Sequence, residues 1–264
     1  MKHRVPLILS LVLLIACFGL AKEAHATPLD LTTGGSGFVN SAFFAWTDLN
    51  QTAVGTGIVD PFVRIEGAGN SPTEQGYNTD GRPVEFDEKT DFHTHSLLLS
   101  AIPIVTLNGI QYREFLLDIN EPGGTKTFLS LDKIQIFLNA SPSVHGAGGL
   151  ASLGAPIFNL DIGPDGDSVI NLKGSLNAGS GKGDMFAYIP SSLFGTDGSQ
   201  YVYLYSHFGT PFSSDSGFEE WAICHVTGGC TSFTTTIPEP SSLGLLGIGL
   251  LGLLKRRKKK IHDA

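Results

Sequence analysis

Between residues 27 and 237 the apolar side chains come in short segments, separated by clusters rich in Gly, Ser, Thr, Asn and Asp. No long stretch holds a 3.6-residue period, and several segments alternate apolar and polar positions, so the pattern predicts strands and not helices. The predicted strands cover 38–46, 57–66, 95–100, 103–107, 110–119, 131–138, 157–161, 168–175, 185–189, 200–208 and 217–225. Asn108-Gly109 joins two of them as a hairpin, because both residues tolerate the positive φ of a type I′ turn. Asp80-Gly81 and Asp197-Gly198 are weaker turn signals of the same kind. The fold class that follows is all-β, a single β-sandwich of jelly-roll-like type over 27–230. The Gly/Ser/Ala-rich stretch 139–154 reads as a long loop, or as a seam between two halves of the sandwich.

The two ends break this pattern. Residues 1–4 are basic, 5–20 are apolar, and Ala24-His25-Ala26 is a small-x-small site, so residues 1–26 read as a secretory signal peptide. Leu14-Ile15-Ala16-Cys17 offers a rival reading as a lipobox, with Cys17 as a lipidated N-terminus. At the other end, residues 241–254 are uncharged and rich in Leu, Ile and Gly, and Lys255, Arg256, Arg257, Lys258, Lys259 and Lys260 follow at once. A helix of that length covers roughly 21 Å, a marginal transmembrane span for a hydrocarbon core of about 30 Å. The basic block acts as a stop-transfer signal and places that end in the cytoplasm, with everything before Pro238 outside. Residues 231–236, with four Thr, form a polar stalk.

Pro238, Glu239 and Pro240 stand at the mouth of that apolar run, where the prolines disfavour helix on their N-terminal side and keep the motif extended. Pro-Glu-Pro, a short Gly/Leu-rich helix and a terminal Lys/Arg cluster together resemble the PEP-CTERM sorting signal of exopolysaccharide-producing Gram-negative bacteria, over 237–260. The resemblance implies a membrane partner, an exosortase, that cleaves near Pro238-Glu239-Pro240 and releases or re-attaches the passenger at the cell surface. The other reading is a plain anchor that is never cut.

Charge changes the picture of partners. The whole chain carries −8, but residues 27–237 hold eight Lys/Arg against 22 Asp/Glu, a net −14. Such a domain repels nucleic acid and anionic lipid, and suits cations or neutral polysaccharide. Cys224 and Cys230 flank a Gly-Gly in an exported chain and are expected to form a disulfide.

Several constellations are candidates for chemistry. Asp91, His93 and His95 would share one face of an extended segment and could hold a transition metal, although no Glu follows as a cupin-like site would require. Asp161, Asp165 and Asp167 surround a Gly-Pro-Asp-Gly turn with oxygen ligands of the kind Ca²⁺ takes, and Asp80, Glu85, Asp87, Glu88 and Asp91 form a second acidic group. Tyr201, Tyr203 and Tyr205 fall on one face of their strand, a platform for stacking on sugar rings unless a loop covers it. Residues 177–184 lack the Gly and Ser/Thr of a phosphate loop, and no Gly-x-Ser-x-Gly elbow occurs. Glu219 and Glu220, as strand neighbours, face opposite ways and cannot flank one glycosidic bond. Two function classes follow. One is an exported structural or adhesion protein of the exopolysaccharide matrix, without catalytic residues or an obligatory cofactor. The other is a secreted metal- or carboxylate-dependent polysaccharide hydrolase.

Overall fold

Alternating side chains on long strands give two apolar sheet faces, and those faces bury each other. In the computed structural model the described residues are 28–47, 59–69, 71–120, 127–177, 183–214, 217–225 and 230. The predicted signal peptide, Cys17, the Thr stalk and the sorting segment lie outside them. One seven-stranded sheet runs β1 (Leu29–Asp30), β11 (Ile170–Lys173), β9 (Phe128–Asn139), β13 (Tyr201–Phe208) and β5 (Glu74–Tyr77), with β10 (Phe158–Asn159) on β9 and β6 (Leu97–Leu98) on β13. The other runs β2 (Ser36–Val39), β3 (Ala42–Trp46), β12 (Met185–Pro190), β8 (Ile110–Ile119), β14 (Glu219–Cys224) and β4 (Val59–Ile65), with β7 (Ile104–Leu107) on β8. The α-helix α1 (Gly149–Ser152) is a single turn, and among the described residues no helix is long and apolar enough to cross a membrane.

The eight-strand frame has the orders β4-β14-β8-β12 and β5-β13-β9-β11, antiparallel throughout. Along the chain every step within this frame changes sheet except β9 to β11, so the path wraps around one core. Leu131, Ile136, Val202 and Leu204 from the first sheet meet Phe115, Leu117, Met185 and Ile223 from the second in that core.

Two irregularities keep the apolar faces in phase. In β9 the inward series passes from Leu129 and Leu131 to Ile134 and Ile136, which breaks the period of two, and a register shift opposite His207/Phe208 absorbs the extra residue. Asp132, at the break, accepts the Thr210 amide at 2.9 Å and faces His207 Nδ1 at 2.9 Å. In β4 the shift at Trp221/Ala222 falls beside Pro61, where a residue without an N–H is tolerated in an edge strand.

The structure revises several predicted elements. Residues 38–46 form a hairpin and not one strand: Asn40 and Ser41 take φ of 46° and 72° and reverse the chain. The turn is held by Asp165, whose Oδ2 accepts the Asn40 amide at 2.7 Å while its own amide donates to Asn40 Oδ1 at 2.9 Å. Asn108 and Gly109 adopt positive φ and close the β7–β8 hairpin with Leu107 opposite Ile110, as the sequence predicts. Strands β1 and β5 were not predicted. Residues 139–154 are not a seam between halves but a cover lying on the outer face of the first sheet.

One polar contact crosses the core: Trp221 Nε1 donates to Ser206 Oγ at 3.0 Å, joining β14 to β13 with both residues fully buried. Trp221→Phe leaves the Ser206 hydroxyl without this partner and should cost about 1–3 kcal/mol by urea denaturation. Trp221→Phe with Ser206→Ala should cost less than the two single changes added together, whereas strict additivity would deny the bond any role.

Candidate functional site

The acidic residues at 80–91 occupy one strap of chain that closes the sandwich on its β4/β5 side. Strand β5 is an edge, so the amides of Gln75 and Tyr77 point away from β13. Asp87 Oδ2 accepts the first at 3.0 Å and Glu88 Oε1 accepts the second at 2.9 Å. Glu88 Oε2 also takes the Phe86 amide at 2.9 Å, and the Asp87 amide donates to the Gln75 carbonyl. The same strap pairs with the free side of β4: Glu66 N donates to Asp87 O, Lys89 N to Arg64 O and His95 N to Phe62 O. Backbone groups that would otherwise template a foreign strand are thus consumed by one segment.

The remaining acids of the strap have equally local partners. Asp80 accepts the Ser96 amide at 2.7 Å and its hydroxyl at 2.8 Å. Glu85 accepts the amides of Gly148 and Leu150, both at 2.8 Å, at the start of α1. Asp91 takes the His93 amide at 2.9 Å and lies 3.4 Å from Arg64. Partial burial opposes the Asp91 charge, but the His93 contacts and Arg64 outweigh it and hold the carboxyl below its ordinary range. Glu88 is the reverse: its burial pushes the carboxyl up in spite of the two amides it accepts.

The expected Asp91, His93 and His95 ligand set is not assembled. Residues 91–96 are not a regular strand, so the period of two does not apply to them. His93 Nδ1 lies 3.1 Å from Asp91, while His95 turns away to the carbonyls of Ser96 and Pro61 at 2.8 and 3.1 Å. Asp161, Asp165 and Asp167 do not converge either. Asp165 is committed to Asn40, while Asp161 is raised by burial and by the neighbouring Asp167 charge. Among the described residues no three His, Cys, Asp or Glu side chains come together as metal ligands.

The tyrosine strand faces as predicted but is not an open platform. Val202 and Leu204 enter the core, while Tyr203 and Tyr205 point outward and are only 1% and 6% exposed. Tyr77, Phe86, Val144, Leu150 and Leu153 close over them, with Tyr201 packed at the margin. Tyr203 donates to Ser141 O at 2.6 Å and accepts the Val144 amide at 3.1 Å, and Tyr205 donates to Gln75 Oε1 at 2.6 Å. Burial, with Glu88 nearby, pushes the Tyr205 phenol up to about 12. Position 149 takes a glycine because a Cβ there would meet Tyr77 Oη at 2.5 Å.

On the outer face of the second sheet a row of polar side chains crosses adjacent strands. Arg64 is paired with Glu220, and Glu220 with Asp118. Asp184 follows, its amide bonded to Leu117 O. Arg64 binds the buried Glu220 carboxylate at 2.6 Å and lies over the Phe218 ring at 4.5 Å. Asp184 Oδ2 accepts the Ile119 amide at 2.8 Å, while its Oδ1 has no hydrogen-bond partner among the described residues. Burial above all, and the Asp118 charge, push the Asp184 carboxyl up to about 8. No sequence signal marked this residue, because its environment is set by strand pairing. A groove of about 440 Å³ beside Ile157, Ile162 and Leu193 is walled by Asn40 and Asn159 and contains no titratable side chain.

The disulfide is present: Cys224 and Cys230 are bridged with Cα atoms 5.6 Å apart, and the Cys230 amide donates to Glu114 Oε1 at 2.7 Å.

Asp184 makes stability pH-dependent with a definite sign. Its carboxyl is held neutral to about pH 8 when folded but ionises near 3.8 when unfolded, so the stabilisation is full below 3.8 and is lost as pH rises towards 8. Asp184→Asn keeps an acceptor for the Ile119 amide without the charge. It should therefore stabilise the domain at pH 8.5 by on the order of 2 kcal/mol and by much less at pH 4, measured by urea denaturation. Equal effects at the two pH values would contradict this assignment.

Comparison with known families matches residues 236–259 to the PEP-CTERM protein-sorting motif. The match contains Pro238, Glu239 and Pro240, the apolar run and most of the basic block. Comparison with curated proteins and with solved structures found no match to the chain. The motif implies an exported protein sorted and processed by an exosortase, and no named family covers the domain that precedes it. The chain therefore carries a PEP-CTERM sorting motif after a two-sheet β passenger.

Proposed function

We propose that this is a cell-surface or extracellular-matrix protein of a Gram-negative bacterium, a jelly-roll scaffold with a structural or adhesive role in the exopolysaccharide matrix. Its C-terminus is cut by the exosortase after a membrane-anchored intermediate. The observation that carries the reading is the sorting motif at 236–259. The passenger supports it: acids that a metal- or carboxylate-dependent hydrolase would converge on a substrate are distributed instead along the backbone as hydrogen-bond acceptors. A net charge of −14 on residues 27–237 suits a hydrated matrix and a neutral glycan neighbour. Calcium has no assigned place in this function.

Processing is tested in the native bacterium, where the cognate enzyme is present. Glu239→Ala should leave an uncut form in the membrane fraction, while the wild-type chain should lose its apolar and Lys-rich end and appear in the surface or matrix fraction. An intact Lys-rich C-terminal peptide on steady-state wild-type protein would return residues 237–260 to a plain anchor. Digestion of the exopolysaccharide should release the processed protein, and retention of all of it on the stripped cell would contradict the matrix role.

A further inference from the structure

The sorting tail leaves the sandwich at one end, and several exposed apolar side chains share that end. Cys230 is fixed there by Cys224 and by Glu114. Strand β14 runs towards this end and the antiparallel β8 starts from it, so the β7–β8 hairpin projects beyond the point where the tail departs. Val105, Tyr112, Leu107, Cys224 and Cys230 pack in one cluster, which couples the hairpin to the exit. Tyr188 pairs with both Phe43 and Glu114, and Pro190 with Tyr112. The Asn40-Ser41 turn and the residues after Pro190 therefore lie at the same end. The large apolar side chains exposed there include Ile104 at 40%, Ile110 at 53%, Ile162 at 71% and Leu193 at 37%. Ile162 and Leu193 flank the groove beside Asn40.

We propose that this end, with the β7–β8 hairpin as its tip, rests on the lipid leaflet that holds the tail before processing. The inference depends on the anchored-tail reading above. Ten residues separate Cys230 from the apolar run at Ser241, a contour of at most about 40 Å. From Glu114 to Gly109 the hairpin reaches roughly 17 Å, a large part of that distance. The seventeen residues 96–112 carry no charge, in a domain of net −14 that anionic headgroups repel. An uncharged tip with two exposed isoleucines is the element that can enter the interface at least cost.

The test uses the full chain in phosphatidylcholine vesicles that contain a lipid with a photoreactive diazirine near the headgroup. After irradiation, adducts mapped by mass spectrometry should fall on 104–111 about fivefold or more above those around Phe128 and Phe212, exposed aromatics at the opposite end. Ile104→Glu with Ile110→Glu should remove the hairpin adducts while the chain still floats with the vesicles. Floating chain with equal labelling of both ends, or with none on the hairpin, overturns the proposal and leaves the anchored tail standing. Protein-to-protein adducts through the hairpin in place of lipid adducts assign this end to a second copy and also overturn it. A chain that does not float at all removes the anchored tail and this proposal together.

Discussion

A carboxylate oxygen accepting a backbone amide is the contact on which this sandwich depends. An open two-sheet fold has edge strands whose outward N–H and C=O groups must find partners or invite another chain. On the β4/β5 side, Asp87 and Glu88 supply acceptors to Gln75 and Tyr77, and the strap that bears them supplies main-chain partners to β4. The same solution recurs elsewhere. Glu85 fixes the cover over the tyrosines through Gly148 and Leu150, Asp165 fixes the Asn40 turn, and Asp132 fixes the chain leaving β13. Asp184, just before β12, accepts the Ile119 amide at the end of β8. Much of the negative charge that suggests ligand binding in the sequence is therefore architecture.

That use of acids has an electrostatic consequence. Arg64 neutralises Glu220 and approaches Asp91, but Asp184 has no such cation beside it among the described residues and is held neutral by burial. Asp161, Asp184 and Glu88 are all raised by burial, so each contributes stability that declines as pH rises from the acid range. Asp91, held below its ordinary range, works in the opposite sense.

What the sequence revealed follows the range over which each feature is determined. The sorting signal is linear and local, so Pro238-Glu239-Pro240 and the basic block were legible without any structure. Strand β8 matches its predicted limits because a ten-residue apolar pattern follows a strong Asn-Gly turn. Strand β5 was missed because Glu-Gln-Gly-Tyr has no apolar alternation, and its pairing comes from β13 and the strap. The Asn40-Ser41 turn was missed because Asp165, 125 residues away, sets it. The inward and outward faces of β13 were correctly read from period two, yet nothing near Tyr203 announces the cover that Glu85 and residues 141–153 place over it. The acidic constellations misled for the same reason: composition reports carboxylates but not the amides they meet.

Amide hydrogen exchange on the exported protein tests the central role given to these acids most directly. If Asp87 and Glu88 seal the β5 edge, the amides of Gln75 and Tyr77 should exchange slowly, like the amides of β13 beside them, and should become fast when Asp87 and Glu88 are replaced by Ala with the β13 amides still protected. Exchange of Gln75 and Tyr77 in the wild-type protein as fast as that of the exposed Asp197–Ser199 turn would contradict the account.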